Sequence, residues 1–167
     1  MTRKPKVGDV FQIPLSDSRM AYGQYMNLSK MGPIIRIFDL ISKKDFSTKQ
    51  IVACKLLFPP VITGLFAAIR DKMWIVVGNE PVSDFVQPRF VSTLYDQRTG
   101  NARIWFLWDG EKTTRIGSVL PSKYKELEFL IVWNPSNVVK RIKSGEMPFP
   151  YRDLIKHNRY TPRTKTP

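Results

Sequence analysis

Short hydrophobic runs of period two, each closed by turn residues before it can lengthen, recur along this chain and leave little room for long helices. In Val10-Phe11-Gln12-Ile13-Pro14-Leu15, residues Phe11, Ile13 and Leu15 share one face, as in a half-buried strand. Ser16-Asp17-Ser18 supplies a turn. Met20, Tyr22, Gln24, Met26 and Leu28 then alternate with smaller or polar neighbours, so the two runs read as a hairpin. Gly23 lies inside the second run, where a missing Cβ marks a bulge or a close approach, as at the corners of small barrels. Ile34–Leu40 reads as a third strand. Lys55–Phe58 and Met73–Val77 follow, ending at Pro59-Pro60 and at Gly78. Phe90–Tyr95 and Ala102–Trp108 flank the loop Asp96–Gly100, and Asp109-Gly110 suits the two positive φ angles of a type I′ turn leading into another hairpin.

Helical signals are fewer. Ser47 or Thr48 can cap a short turn through Gln50, Ile51 and Val52. The clearest helix starts with Asn134 as N-cap and Pro135 in the first helical position, and closes at Gly145 in the left-handed conformation. Val138, Val139 and Ile142 fall on one face, while Lys140, Arg141 and Lys143 project elsewhere and complement the negative helix end. Beyond Met147 the prolines Pro148, Pro150, Pro162 and Pro167 predict an irregular tail. The expected organisation is a basic lead over residues 1–6, a globular domain over 7–146 and a basic, proline-containing extension over 147–167. The expected fold is mainly β or α+β: a strongly bent antiparallel sheet or a small SH3-like barrel, with a few short helices.

A chain of 167 residues buries enough surface to need no covalent staple. Its single cysteine, Cys54, has Val52, Ala53, Leu56 and Leu57 around it and reads as a small buried hydrophobe in a reducing compartment. The longest apolar stretch outside the proline-punctuated segments, about Leu127–Trp133, falls far short of the ~20 residues that span a bilayer. No apolar secretory core follows the basic first residues, so a cytoplasmic location and no membrane partner are expected. Charge is the strongest compositional signal: 27 Lys and Arg against 14 Asp and Glu give +13. Such an excess attracts acidic proteins or nucleic acid.

Catalytic chemistry is poorly provided for. The lone histidine, His157, would have to serve any Cys–His or Ser–His site, and structural zinc takes four Cys or His ligands where the chain has two such residues. No glycine-rich phosphate loop is present. Among the carboxylates Asp9, Asp17, Asp39, Asp109, Glu111, Glu126 and Glu128, Asp109 is accounted for by its turn, and Glu126 and Glu128 share a face only in an extended segment. The reading is a non-enzymatic protein with no catalytic, cofactor or metal site. Basic and aromatic residues interleave at Arg103, Trp105, Trp108 and Arg115, and again at Arg89, Phe90, Tyr95 and Arg98. Such surfaces can stack bases and neutralise phosphates, but the same rings equally fit the core faces of amphipathic strands.

Taken in order, Val7-Gly8-Asp9-Val10-Phe11-Gln12-Ile13-Pro14-Leu15 with Asp17, Arg19 and Ala21-Tyr22-Gly23-Gln24 resembles the opening of the immunity protein 26 family. Phe38-Asp39-Leu40, Trp74-Ile75-Val76-Val77-Gly78 with Pro81, and Val132-Trp133-Asn134-Pro135 with Val138-Val139 continue that resemblance in order. It implies an antidote from a bacterial polymorphic toxin system that binds and neutralises a cognate toxin, with no catalytic site to carry over. Gly8, Asp9, Phe11, Ile13, Pro14, Tyr22, Gly23, Phe38, Asp39, Trp74 and Gly78 are expected to determine the fold. Lys140, Arg141, Lys143, Arg152, Lys156, Arg159, Arg103 and Arg115 are the expected partner-binding residues. The alternative function is nucleic-acid binding.

Overall fold

The hairpin read from the first two alternating runs is formed, but its second strand is buried on both faces from Ala21 to Met26 while Leu28 is exposed, and the rest of the architecture grows from that hairpin. The computed structural model describes residues 3–161. Its strands are β1 (Asp9–Pro14), β2 (Met20–Ser29), β3 (Gly32–Phe38), β4 (Leu56–Thr63), β5 (Ile75–Asn79), β6 (Phe90–Tyr95), β7 (Ala102–Trp108), β8 (Thr113–Gly117), β9 (Glu128–Phe129) and β10 (Val132–Trp133). The helices are α1 (Thr48–Val52), α2 (Leu65–Arg70), α3 (Pro135–Ser144) and α4 (Tyr151–His157). They fall into two compact units, one comprising residues up to Val86 with Ile131–Glu146, the other Gln87–Leu130 with the residues from Met147 on.

The first unit holds a six-stranded sheet in the order β10-β4-β3-β2-β1-β5. β1 and β2 pair antiparallel from Val10 opposite Gln24 to Pro14 opposite Met20. This register puts Phe11 beside Gly23, where an added Cβ would stand 2.6 Å from the Phe11 ring. Gly23 therefore makes the socket for that ring rather than a barrel corner. Phe11 stacks on Trp74 with centroids 5.3 Å apart and planes within 3° of parallel. Such a pair contributes roughly 0.5–1.5 kcal/mol beyond the area it buries. On the opposite sheet face Val10, Tyr22, Phe38 and Ile51 form a buried cluster, joined by Phe46 and the half-buried Cys54. α1 supplies Ile51 and starts with a full capping box between Ser47 and Gln50.

Other elements of this unit also depart from the sequence reading, and β5 starts at Ile75 and runs through Gly78 rather than ending there. β4 runs straight through Pro59-Pro60, because the β3–β4 register shifts between Ile35 and Ile37 and the two prolines sit in that irregularity, where no ladder donor is required. α2 follows Gly64 unannounced: Leu65, Ala68 and Ile69 are buried at helical spacing, but the segment is a single short run whose period cannot be separated from a strand. α3 matches its signals closely. The Asn134 carboxamide oxygen accepts from the Ser136 N–H at 2.9 Å, Pro135 opens the helix, and Gly145 closes it at φ +72.

The second unit contains the sheet β8-β7-β6-β9. Trp105 is fully buried and its indole N–H donates to Asn158 Oδ1 at 2.6 Å, while Phe90 and Trp108 pack at 5.9 Å. The β7–β8 turn is a four-residue loop rather than a type I′ pair. Gly110 has φ +104 but Asp109 does not take a positive φ; instead its carboxylate accepts from the N–H groups of Glu111 and Lys112 at 2.9 and 2.8 Å. Those two bonds hold the Asp109 carboxyl below its usual range. The expected irregular tail begins with helix α4 instead, because Tyr151, Leu154 and Ile155 present a buried stripe that overrides the flanking prolines.

The protein is thus mainly β with short helices. Both sheets are mixed, through parallel pairs of β4 with β10 and of β6 with β9. Neither closes into a barrel among the described residues, since β9 and β10 contribute only two residues each and β5 and β8 end their sheets. Trp74 carries the buried side-chain donor that finds no acceptor among the described residues.

Candidate functional site

The residues around Gly8 and Asp9 tie the end of β5 to the start of the sheet. Gly8 has φ +92, and a Cβ there would stand 2.6 Å from the Glu80 carbonyl oxygen, so a residue with a side chain is excluded twice over. The Asp9 side chain is buried. Its Oδ1 accepts from Arg3 Nη2 at 2.8 Å and Asn79 Nδ2 at 2.9 Å, and its Oδ2 accepts from the Lys6 N–H at 3.0 Å. Burial pulls this carboxyl upward, but those three donors and the Arg3 charge outweigh it and hold Asp9 below the usual carboxylate range. One strand over, the buried Gln24 donates to the carbonyls of Gly8 and Glu80 and accepts from Arg36 at 2.7 and 3.0 Å. Arg36 reaches on to Asp84 at 2.9 Å, and this bond depresses the Asp84 carboxyl. The Thr48 hydroxyl donates to Glu80, so both ends of the Asn79–Glu80 segment are held.

Beside this framework lies a cleft of 640 Å³, lined by Ile69 of α2, Trp74, residues Ile75–Gly78 of β5, and the basic residues Arg3 and Lys72. Ile75 and Val77 are 50% and 40% exposed, high values for β-branched residues in a strand. A smaller hollow shares Arg3 and adds Lys4, Pro5, Phe66 and Arg70. Lys4 sits over the Phe66 ring at 5.4 Å. None of these residues except Trp74, Ile75, Val76, Val77 and Gly78 was singled out by the sequence. The edge position of β5, which only the sheet order reveals, is what makes them a surface.

The charged residues expected to bind a partner are split between the units. Lys140 and Lys143 are exposed on α3, with Lys143 Nζ donating to Ser16 Oγ at 2.7 Å. Arg141, expected to project outward, is instead buried: its guanidinium lies 4.0 Å from the Phe58 ring centroid and 5.0 Å from that of Trp133. Cation–π attraction and aliphatic packing account for the turn inward. In the second unit Arg103, Arg115, Lys156 and Arg159 are exposed, and Arg159 pairs through its backbone with Asn101. Arg152 is engaged internally, with Nη2 donating to Glu128 Oε1 at 2.9 Å and Nη1 to the Leu127 carbonyl at 3.3 Å. Arg163 and Lys165 of the basic extension, and the first two residues of the lead, lie outside the described residues.

Of the fold-determining set, Phe11, Ile13, Tyr22, Phe38 and Trp74 are all buried. Pro14 and Asp39 are exposed, and the Asp39 N–H donates to the Lys55 carbonyl. Gly78 packs against Thr48 at a distance that leaves no room for a Cβ. The rings offered for base stacking are differently placed from what that function needs. Phe90, Trp105 and Trp108 are buried, and Tyr95 packs on Tyr160 at 5.4 Å. Cys54 and His157 belong to separate units, and the Cys54 thiol donates to the Gln50 carbonyl at 3.4 Å. No group of three His, Cys, Asp or Glu able to hold a metal ion occurs among the described residues, and no helix there is long and apolar enough to cross a membrane.

A β-rich protein with an open, apolar sheet edge beside basic residues is the class these observations define. A family model described as Immunity protein 26 matches residues 6–100, and the chain belongs to that family. The match takes in β1 to β6, with Gly8, Asp9 and the cleft along β5 except for Arg3. The Val132–Val139 segment, part of the resemblance seen in the sequence, lies beyond it. No curated protein and no solved structure gave a significant match.

Proposed function

We propose that this protein is an antidote of a bacterial toxin system, acting in the cytoplasm of the producing cell by binding its cognate toxin in a stoichiometric complex without turnover. The observation that carries the reading is the family match over residues 6–100, which contains most of the first unit's sheet. The large positive charge supports an acidic-surfaced toxin, since opposite potentials raise association rates before any close contact forms.

Nucleic-acid binding is the competing reading, and charge alone would serve it equally. The burial of Phe90, Trp105 and Trp108 counts against it, because stacking on bases requires exposed ring faces. Two binding curves separate the readings: one with the purified toxin encoded beside the gene, one with random duplex DNA or RNA, each at two salt concentrations. Saturable toxin binding with weak, steeply salt-dependent nucleic-acid binding is expected. Tight nucleic-acid binding at physiological salt together with no affinity for the toxin would overturn the proposal.

A further inference from the structure

Four strands end the two sheets, and they are not equally protected. β9 and β10 are two residues long, and short edges offer little to pair with. β8 exposes Thr113, Thr114 and the cationic Arg115, keeps its one apolar residue, Ile116, half-buried, and ends at Gly117 with φ +141. Among the described residues, β5 is the edge strand longer than two residues that exposes apolar side chains. It pairs only with β1, and the pairing skips Val77, which falls at the shift between the Val10–Gly78 and Phe11–Val76 pairs. Ile75 and Val77 project from it half exposed, and the cleft floored by Trp74 and Ile69 opens alongside.

The surroundings of this edge are cationic. Arg3 is paired with Asp9 and Arg70 with Asp71, while Lys4 and Lys72 add positive charge that neither pair offsets; Glu80, just past β5, accepts from the Thr48 hydroxyl. A second copy of the chain brought edge to edge would set two such rims against each other. An acidic segment would not meet that repulsion.

We propose that β5 is the docking strand for the toxin: an extended toxin segment bearing carboxylates next to apolar residues adds to the β5 edge as a seventh strand. Backbone hydrogen bonds supply the pairing, an apolar side chain enters the cleft against Trp74 and Ile69, and Lys4 and Lys72 meet the carboxylates. This rests on the toxin-binding reading above and assigns it a surface.

The test uses the full chain and the purified neighbouring toxin. Ile75→Glu and Val77→Glu place a carboxylate on the exposed edge, where the fold tolerates it, and should each weaken toxin binding by about 30-fold or more, the size of a hot-spot loss. Thr114→Glu on the β8 edge should change it less than twofold. In the parent complex, backbone amides of Ile75–Asn79 should gain protection from hydrogen exchange. If the parent binds but both β5 variants bind equally well and these amides are unchanged, the docking strand is refuted while toxin binding stands. Loss of binding in Thr114→Glu alone, or self-association through β5, refutes it as well. A parent chain that binds no toxin overturns both proposals.

Discussion

Each unit buries one carboxylate against an arginine, and the two are wired differently. Asp9, in the first unit, draws its partners from nearby: Arg3 and the Lys6 N–H lie six and three residues away, with Asn79 as the distant contributor. Glu128, in the second, is held by the Tyr151 hydroxyl at 2.7 Å and Arg152 at 2.9 Å, both on α4 and more than twenty residues on. Both carboxylates fasten a segment near an end of the chain to a sheet. The Asp9 junction is local and was visible as a Gly-Asp signature. The Glu128 junction is made by tertiary packing, and in the sequence Glu128 stood only as one of seven candidate carboxylates.

Stability variants can break or sharpen that contrast. The largest effect is expected from the ring on Asp9's own strand: Phe11→Ala should cost ~3–5 kcal/mol, from lost burial plus the cavity left beside Gly23 and Trp74. Chemical denaturation measures it. An unchanged stability with lost toxin binding would move Phe11 from the core to the interface.

Next in size is Glu128→Ala, which deprives a buried Tyr151 hydroxyl of an acceptor and should cost about 1–3 kcal/mol. Its effect on hydrogen exchange should concentrate in α4. Asp9→Ala should cost less, because Arg3 is half exposed and rehydrates, and its effect should concentrate at Lys6 and Asn79. Exchange changes that spread evenly in both variants would make the two junctions equivalent.

The smallest effect concerns pH. Because the folded protein holds Asp9 below its ordinary value, the ionised form favours folding; the benefit is complete above about pH 4 to 5 and is lost as pH falls through the folded value. The stability gap between the parent and Asp9→Asn should therefore be full at pH 6 and shrink on acidification. A gap that widens in acid would reverse the sign assigned to this group.

How much of this was legible beforehand follows the same line between local and distant. The β1–β2 hairpin, the short capped helix, whose cap is Ser47 of the two residues offered, and the Asn134-Pro135…Gly145 helix depend on residues within a turn or two of each other, and all are present. Arg141 shows the limit. On a helical wheel it is a cation beside the apolar stripe, whereas in the fold it is buried with Phe58 from β4 and Trp133 from β10 packed against its guanidinium. β5 was recognisable as a strand, but being an edge is a property of sheet order, which β1 decides by pairing with it on one side only. α4 was hidden by Pro148 and Pro150, whose turn chemistry ends just where Tyr151 begins the buried stripe.

The most direct test of the central claim is a titration of toxin activity against increasing amounts of this protein. Neutralisation by binding predicts a linear loss that reaches its end point near equimolar protein, with a complex of matching composition. Full neutralisation by a small fraction of an equivalent would mean turnover and would rule out neutralisation by binding.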